Sequence, residues 1–209
     1  MTTTTATIVT IKDSCSSQFE SWWQDSLGYG EIDPDTVFYV MHWLQTHGHL
    51  QQRPGRKTTV FDLGSGDGKV ILATALCLTT TETEPTTATI ATLVGLEIVP
   101  HLHNQALKRM QSWREHATTN PVEIHFTCDD FTRHHARISR EADLIWIHAT
   151  VFEDALFQRV QEICNACRPG TLFVLISRPL NDESKIETLL PKRLKMSWGD
   201  GMVFVQRRR

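Results

Sequence analysis

Apolar runs alternate with helical periodicities along most of the chain, and this alternation predicts an α/β fold. Five short apolar segments, bounded by polar residues, glycine or proline, are predicted to be strands. They cover about residues 58–63, 91–98, 121–128, 143–149 and 171–177. Strands that alternate with helices form a parallel sheet with right-handed crossovers, so we expect helices on both of its faces.

Apolar residues that recur every three or four positions predict the helices. One helix precedes the sheet at about residues 17–27 and ends at the glycines of 28–30. In the next helix, Asp33 is the expected N-cap and Pro34 the first helical residue. Three later helices are expected, and they lie at about residues 67–78, 102–113 and 153–168.

The C-terminal part is predicted to close the fold with a hairpin. Asn181 is expected to cap a short helix that ends at Pro191. Residues 194–198 and 202–206 are then expected to pair around a turn at 199–201. The complete prediction is a seven-stranded, mostly parallel sheet with helices on both faces and a terminal antiparallel β-hairpin.

The length of 209 residues predicts one domain with a full core. Residues 1–16, rich in Thr and Ser, are predicted to be a flexible tail. Residues 17–209 are predicted to form a single domain, with a short helical lead-in over 17–57. The Thr-rich stretch 79–89 is predicted to be a mobile loop.

Composition and charge exclude several classes of protein. The net charge of −3 gives no general attraction to nucleic acid, so no strong nucleic-acid patch is expected. No apolar run could cross a bilayer and the N-terminus lacks a signal-peptide pattern, so we expect an intracellular protein without membrane association. The five cysteines, an odd number, do not indicate a disulfide framework. No metal site is expected, because the CxxC of Cys164 and Cys167 lacks a second pair.

The sequence VFDLGSGDGK at residues 60–69 carries the strongest chemical signal. Strand, three spaced glycines and helix follow one another, which is the order that seats a nucleotide-like cofactor on a helix N-terminus. The dinucleotide pattern GxGxxG does not fit, because Lys69 stands at its third glycine. Lys69 itself is expected to be a solvated residue of the first helical turn.

Asp62, ahead of the first glycine, indicates which cofactor is bound. Its carboxylate would repel a pyrophosphate but suits the ammonium and sulfonium groups of S-adenosylmethionine. The stretch resembles the first motif of the class I methyltransferases. The expected cofactor-binding residues here are Asp62, Gly64, Ser65 and Gly66.

The carboxyl ends of the other predicted strands carry further candidates, because ligands of such sheets bind there. Glu97 ends the second strand, where it can accept hydrogen bonds from both ribose hydroxyls. Asp130 could bind the adenine amino group and Phe131 could stack on the ring; alternatively, they are an N-cap and a core residue. His148 ends the fourth strand. It could be a catalytic base or a hydrogen-bond partner of the ligands; alternatively, it is a histidine bonded to backbone.

Tyr29-Gly30-Glu31 precedes the predicted sheet and has two interpretations. The loop could fold back over the cofactor as a lid, in which Tyr29 and Glu31 would contact it. Composition alone favours a turn that ends the preceding helix. Tyr29 and His148 are the candidate catalytic residues.

The order of these motifs resembles the catalytic core of the disruptor-of-telomeric-silencing group of methyltransferases. The motifs are YGE, VFDLGSGDGK, GLE, DDF and ADLIWIHATVFEDAL, followed by the Ser-Trp pair at 197–198. The resemblance implies a Rossmann-like class I fold rather than a SET fold, S-adenosylmethionine as cofactor, and methylation of a histone lysine. By position, it implies that Asp62, Gly64 and Gly66 bind the methionine end of the cofactor, Glu97 the ribose, Asp130 and Phe131 the adenine, and that Tyr29 and Glu31 belong to the lid.

One departure from that group concerns the methyl acceptor. The group has Asn-Asn-Phe after the fourth strand, near the lysine channel, where this chain has His148-Ala149-Thr150. The implied partner is a histone or nucleosome, and the implied location is the nucleus, with the cytoplasm as the alternative. Two other functions stay open: methyl transfer to a non-histone protein or a small molecule, and a cofactor-binding but inactive scaffold subunit.

Overall fold

The computed structural model describes residues 32–50, 57–79, 91–116 and 122–209. The predicted tail, the first predicted helix and the Tyr29–Glu31 loop lie outside the described residues. So does nearly all of the predicted mobile loop, whose first residue, Thr79, is the last residue of a helix. The five predicted apolar strands fall within the described ranges, except for residue 121 at the start of the third.

The strands are β1 (Thr58–Leu63), β2 (Ala91–Glu97), β3 (Val122–Cys128), β4 (Leu144–His148), β5 (Leu172–Ile176), β6 (Ile186–Met196) and β7 (Gly199–Arg208). Within the part of the chain that the structure describes, they form one sheet in the order β3-β2-β1-β4-β5-β7-β6. Strands β1–β5 pair in parallel, and β7 is antiparallel to both β5 and β6. The predicted fold class is confirmed. The strand order reverses between β1 and β4, which is where open α/β sheets bind ligands.

The helices are α1 (Pro34–Thr46), α2 (Lys69–Thr79), α3 (Pro100–His116), α4 (His135–Glu141) and α5 (Asp154–Ala166), with 3₁₀ turns at Phe131–His134 and Ala149–Val151. Helices α1–α3 contribute to the apolar cluster on one face of the sheet, and α4 and α5 to the cluster on the other. Because both faces are covered, the central strands are apolar almost throughout. Phe61, Trp146 and Phe173 are fully buried there.

The predicted start of α1 is confirmed. Asp33 Oδ1 accepts a hydrogen bond from the backbone N–H of Asp35 at 2.9 Å, and Pro34 is the first helical residue. Thr36 Oγ1 donates to the carbonyl of Lys195 at 2.6 Å. This bond joins the beginning of α1 to the C-terminal hairpin.

Two predictions for the C-terminal part are wrong. There is no helix at 181–191 in the described chain: β6 begins at Ile186 and continues through Pro191 to Met196. The hairpin turn lies at Ser197 and Trp198 rather than at 199–201, so both strands are longer than predicted. Pairing with β7 decides the conformation of this segment, and Pro191 is tolerated because β6 is an edge strand.

Candidate functional site

The predicted site residues lie around one cavity at the carboxyl ends of β1, β2 and β4. Its volume is about 530 Å³. Parallel strands end at the same edge of the sheet, and therefore residues far apart in the chain converge there. All of the predicted site residues that the structure describes line this cavity: Asp62, Gly64, Ser65, Gly66, Glu97, Asp130, Phe131 and His148. Tyr29 and Glu31 lie outside the described residues, so the lid stays a prediction.

The turn between β1 and α2 presents backbone to the cavity. Gly64 and Gly66 have φ of +81° and +54°, a region that residues with a Cβ rarely adopt. A Cβ on Gly66 would find nothing within 4 Å. The N–H groups of Gly64 and Ser65 donate to the carbonyl of Leu96 at 2.9 and 3.0 Å, which fixes the turn against β2. An open but fixed backbone at a helix N-terminus can hold a ligand.

Asp62 and Glu97 bring two buried carboxyl groups into the same cavity. Asp62 is 3% exposed and Glu97 6% exposed. Burial first, and then the charge of Glu97, raise the pKa of Asp62 to about 8. A cation bound beside the pair would offset the charge of Glu97 and favour the ionised form of Asp62. The pair therefore favours a positively charged ligand.

Glu97 also holds the glycine turn in place. Its Oε2 accepts a hydrogen bond from the N–H of Gly66 at 2.7 Å, and its Oε1 accepts from the N–H of Val99 at 2.8 Å. Each carboxylate oxygen has two acceptor positions, so each can accept one more hydrogen bond. The predicted contact of Glu97 with both ribose hydroxyls is compatible with this geometry and stays a prediction.

Asp130 and Phe131 have structural roles and also line the cavity. Asp130 Oδ1 accepts from the N–H of Thr132 at 2.9 Å, as the predicted N-cap alternative requires. Phe131 is 7% exposed, and its ring stacks on that of Phe152 with the centroids 5.9 Å apart. Two aromatic rings beside the carboxylate of Asp130 suit a flat, hydrogen-bonding ring such as adenine.

His148 ends β4 and lies against the hairpin turn. Its ring stacks on that of Trp198, with the centroids 5.1 Å apart and 11° between the planes. Burial lowers the pKa of His148 to about 4, so the imidazole is neutral near pH 7. Its Nε2 is buried without a hydrogen-bond partner among the described residues. A bond from Nε2 to the backbone, one of the predicted alternatives, is thus not found there.

The prediction that Lys69 is solvated is wrong. Lys69 lines the cavity and is 5% exposed, and its Nζ lies 3.5 Å from Oδ2 of Asp67. The same oxygen lies 3.1 Å from Nη2 of Arg109 on α3. A buried ammonium at the first residue of α2 suits a carboxylate of the ligand. Its position directly after the third glycine is the sequence signal that could have indicated this role.

Phe152 and Trp198 are site residues that were not predicted individually. Phe152 lines the cavity, and its Cζ is 3.6 Å from the position that a Cβ of Gly64 would take. Trp198 covers His148 from the hairpin turn. Neither could be placed from sequence alone, because Phe152 depends on the 3₁₀ turn after β4 and Trp198 on the true position of the hairpin turn.

Metal and membrane sites are not found in the described ranges. No group of three or more histidine, cysteine or acidic side chains there has an arrangement suited to a metal ion. None of the described helices combines the length and hydropathy that crossing a bilayer requires. Cys164 and Cys167 are buried, and burial raises the pKa of the Cys167 thiol to about 12.

Solved structures share this architecture over most of the chain. A magnesium protoporphyrin IX methyltransferase from Synechocystis with bound S-adenosylmethionine has a TM-score of 0.58 at 13% identity, over 97% of each chain. An RNA methyltransferase from Salinibacter ruber with S-adenosyl-L-homocysteine has a TM-score of 0.53 at 22% identity, over 84% of this chain and 92% of its own. The fold is that of the Rossmann-like, S-adenosylmethionine-dependent methyltransferases.

A family comparison narrows this class. The model of the family described as histone methylation protein DOT1 matches residues 16–189, most of the chain. The protein belongs to the DOT1 histone methylation family. A search of curated proteins found no match. The family and the ligand-bound neighbours together support the predicted cofactor, S-adenosylmethionine.

Proposed function

We propose that the protein is a protein-lysine N-methyltransferase that uses S-adenosylmethionine and acts on a histone. Membership of the DOT1 family supports the reaction and the class of acceptor. The observation that carries the proposal is the cavity, which combines an open glycine turn, the Asp62–Glu97 pair and His148 at one edge of the sheet.

The residues of the cavity fit S-adenosylmethionine. The acidic pair of Asp62 and Glu97 suits its cationic groups and ribose, and Lys69 suits its carboxylate. Ser65 also lines the cavity, and its Oγ is buried without a partner in the described chain. When bound, the cofactor supplies an electrophilic methyl group, and the role of the protein is to hold the acceptor in line with it.

His148 is the proposed contact with the acceptor amine. A lysine must be neutral to react, and its free pKa is about 10.4, which apolar surroundings and a nearby positive charge both lower. The neutral imidazole can accept a hydrogen bond from the amine through its unpartnered Nε2. With a pKa of about 4, His148 is a weak base near neutral pH. We therefore assign it the orientation of the amine rather than its deprotonation.

The sequence His148-Ala149-Thr150 supports a second candidate, methyl transfer to a non-histone protein or a small molecule. This sequence stands where the resemblance would place Asn-Asn-Phe, so the acceptor side has a different chemistry. The stack of His148 on Trp198 forms part of that side. The same departure motivates the third alternative, a scaffold that binds cofactor without transferring the methyl group.

Calorimetry and radiolabelled methyl transfer test these functions in sequence. Titration with S-adenosylmethionine should give saturable heat that Asp62→Ala abolishes. Labelled methyl transfer is then measured on nucleosomes, free histones and whole-cell lysate. Label on histones supports the first candidate, label found only on other lysate components supports the second, and binding without label supports the scaffold. No binding by the wild-type protein would refute all three.

A further inference from the structure

The segment between β4 and α5, residues 149–153, forms one wall of the cavity. Ala149 is buried, Val151 is 77% exposed, and Phe152 is partly buried. Val151 and Phe152 both line the cavity. We call residues 149–153 the wall segment. The wall segment is a 3₁₀ turn, closed by a hydrogen bond from the N–H of Phe152 to the carbonyl of Ala149 at 3.2 Å, and it ends at Glu153, the N-cap of α5.

Arg178, two residues after the carboxyl end of β5, holds the wall segment. Its Nη1 donates to the backbone carbonyl of Phe152 at 3.1 Å, and its Nη2 donates to Asp154 Oδ1 at 2.9 Å. The guanidinium also lies over the ring of Phe157, 4.2 Å from the centroid. Three contacts of different kinds thus fix one side chain, and the planar fork of arginine is suited to such a role.

Ser177 makes a second attachment and carries backbone strain. Its φ is +74°, the only positive φ at a non-glycine position among the described residues. Its N–H donates to the carbonyl of Met202 on β7 at 2.8 Å, and its Oγ lies 2.8 Å from Thr150 Oγ1. Residues keep such a conformation only where their surroundings impose it, and strained residues are often found at functional sites.

The position of Phe152 connects both attachments to the ligand cavity. Its ring is in van der Waals range of the position that a Cβ of Gly64 would take, at 3.6 Å, and it stacks on Phe131. Phe152 therefore lies between the glycine turn and the predicted adenine end. A shift of its backbone carbonyl would move this ring relative to both.

We propose that Arg178 is a positioning residue for cofactor binding, which acts by holding the carbonyl of Phe152, with the Ser177–Thr150 contact as its second support. This inference rests on the proposed function, because it takes the ligand to be S-adenosylmethionine. The ion pair of Arg178 with Asp154 is not the operative contact: the Asp154 side chain is 90% exposed, and such pairs contribute little.

Calorimetric titration with S-adenosyl-L-homocysteine tests the proposal without knowledge of the methyl acceptor. Loss of a charge-assisted hydrogen bond typically corresponds to a Kd about ten times higher, which we expect for Arg178→Gln. Asp154→Asn is the matched control and should bind like wild type, since it removes only the exposed ion pair. Arg178→Lys should recover part of the affinity, because lysine can still donate to the carbonyl of Phe152.

A double-mutant cycle separates positioning from a general loss of stability. If Arg178 acts through Phe152, Arg178→Gln should have almost no further effect on the Kd of Phe152→Ala, while additive effects would overturn the proposal. If Arg178→Gln does not fold, Thr150→Val is the alternative variant, because it changes an exposed residue and removes the Ser177–Thr150 contact. This variant should raise the Kd about threefold. An unchanged Kd in Thr150→Val would also overturn the proposal. A wild-type protein without binding refutes the proposed function, whereas equal binding by wild type and Arg178→Gln refutes this inference alone.

Discussion

Asp62 on β1 and His148 on β4 belong to neighbouring strands and line the same cavity, and burial shifts their pKa values in opposite directions. The pKa of Asp62 is raised to about 8 and that of His148 lowered to about 4. Near pH 6 both side chains are therefore neutral in the protein without ligand. Asp62 has a second acid, Glu97, beside it, whereas burial alone accounts for His148.

This difference distinguishes the two ends of the site. A buried pair of acids is unfavourable without a cation, so the Asp62 end is built for a charged ligand group. At the His148 end, Trp198 covers a neutral ring whose Nε2 has no partner among the described residues. That end is suited to a neutral acceptor with a hydrogen to donate. The predictions below test whether the two ends are separable in this way.

Asp62→Asn should produce the largest effect. It removes the charge that a cationic ligand would meet, and loss of such charge-assisted contacts should raise the cofactor Kd about 100-fold. Calorimetry measures this directly. Asp143→Asn is the matched control and should leave the Kd unchanged. Asp143 lies just before β4, at the amino ends of the parallel strands, whereas the cavity lies at their carboxyl ends. Similar losses in both variants would contradict a specific role for Asp62.

The same variant should be more stable than wild type at alkaline pH. A carboxyl group whose pKa rises from 3.8 to about 8 on folding stabilises the folded state fully below pH 3.8, and that contribution is lost as pH rises to about 8. Asp62→Asn should therefore gain on the order of 5 kcal/mol over wild type at pH 8 and almost nothing at pH 4. Urea unfolding at both pH values measures the difference. Equal stability of the two proteins at pH 8 would show that folding does not raise the pKa of Asp62.

Cofactor binding should release protons at neutral pH. A cation beside Asp62 lowers its pKa from about 8, so at pH 7 binding should release up to about one proton per site. Calorimetry in two buffers with different heats of ionisation gives this number. Affinity should correspondingly rise by up to about tenfold per pH unit between pH 6 and 8. Asp62→Asn should show neither effect, and proton release that persists in it would assign the titration to another group.

The convergence of the site could be predicted from sequence because it follows from two simple rules. Apolar runs locate the strands, and the carboxyl ends of parallel strands meet at one edge, so Asp62, Glu97 and His148 had to lie together. The glycine spacing then indicated the kind of ligand. These features depend on short segments whose neighbours in the sheet are fixed by chain order and handedness.

The incorrect predictions concern residues whose surroundings are set by distant parts of the chain. Lys69 is buried beside Asp67, whose carboxylate also contacts Arg109 on α3, and this contact with α3 cannot be read from the local sequence. Residues 186–191 pair with β7, and this long-range pairing outweighs local helical signals. The short α4 was not predicted, because Ile138 is the only fully buried hydrophobic residue within it.

His148→Gln should change acid stability rather than cofactor binding. A histidine whose pKa falls from 6.5 to about 4 on folding destabilises the folded state as pH drops through this interval. Between pH 6.5 and 4 the variant should therefore lose about 2 kcal/mol less than wild type. Methyl transfer should fall about tenfold through loss of acceptor orientation, with the cofactor Kd unchanged. A changed Kd would show that the two ends of the site are not separable.

Trp198→Ala should have the smallest effect. It tests whether the indole ring causes the lowered pKa of His148. Removal of the indole exposes the imidazole to water, so the pKa of His148 should rise from about 4 toward its usual value near 6.5. NMR titration of the imidazole protons measures this, and Trp198→Phe, which keeps an aromatic ring at the turn, should shift the pKa less. An unchanged pKa in Trp198→Ala would assign the burial of His148 to the sheet and the wall segment, and the hairpin would then have no electrostatic influence on the acceptor end.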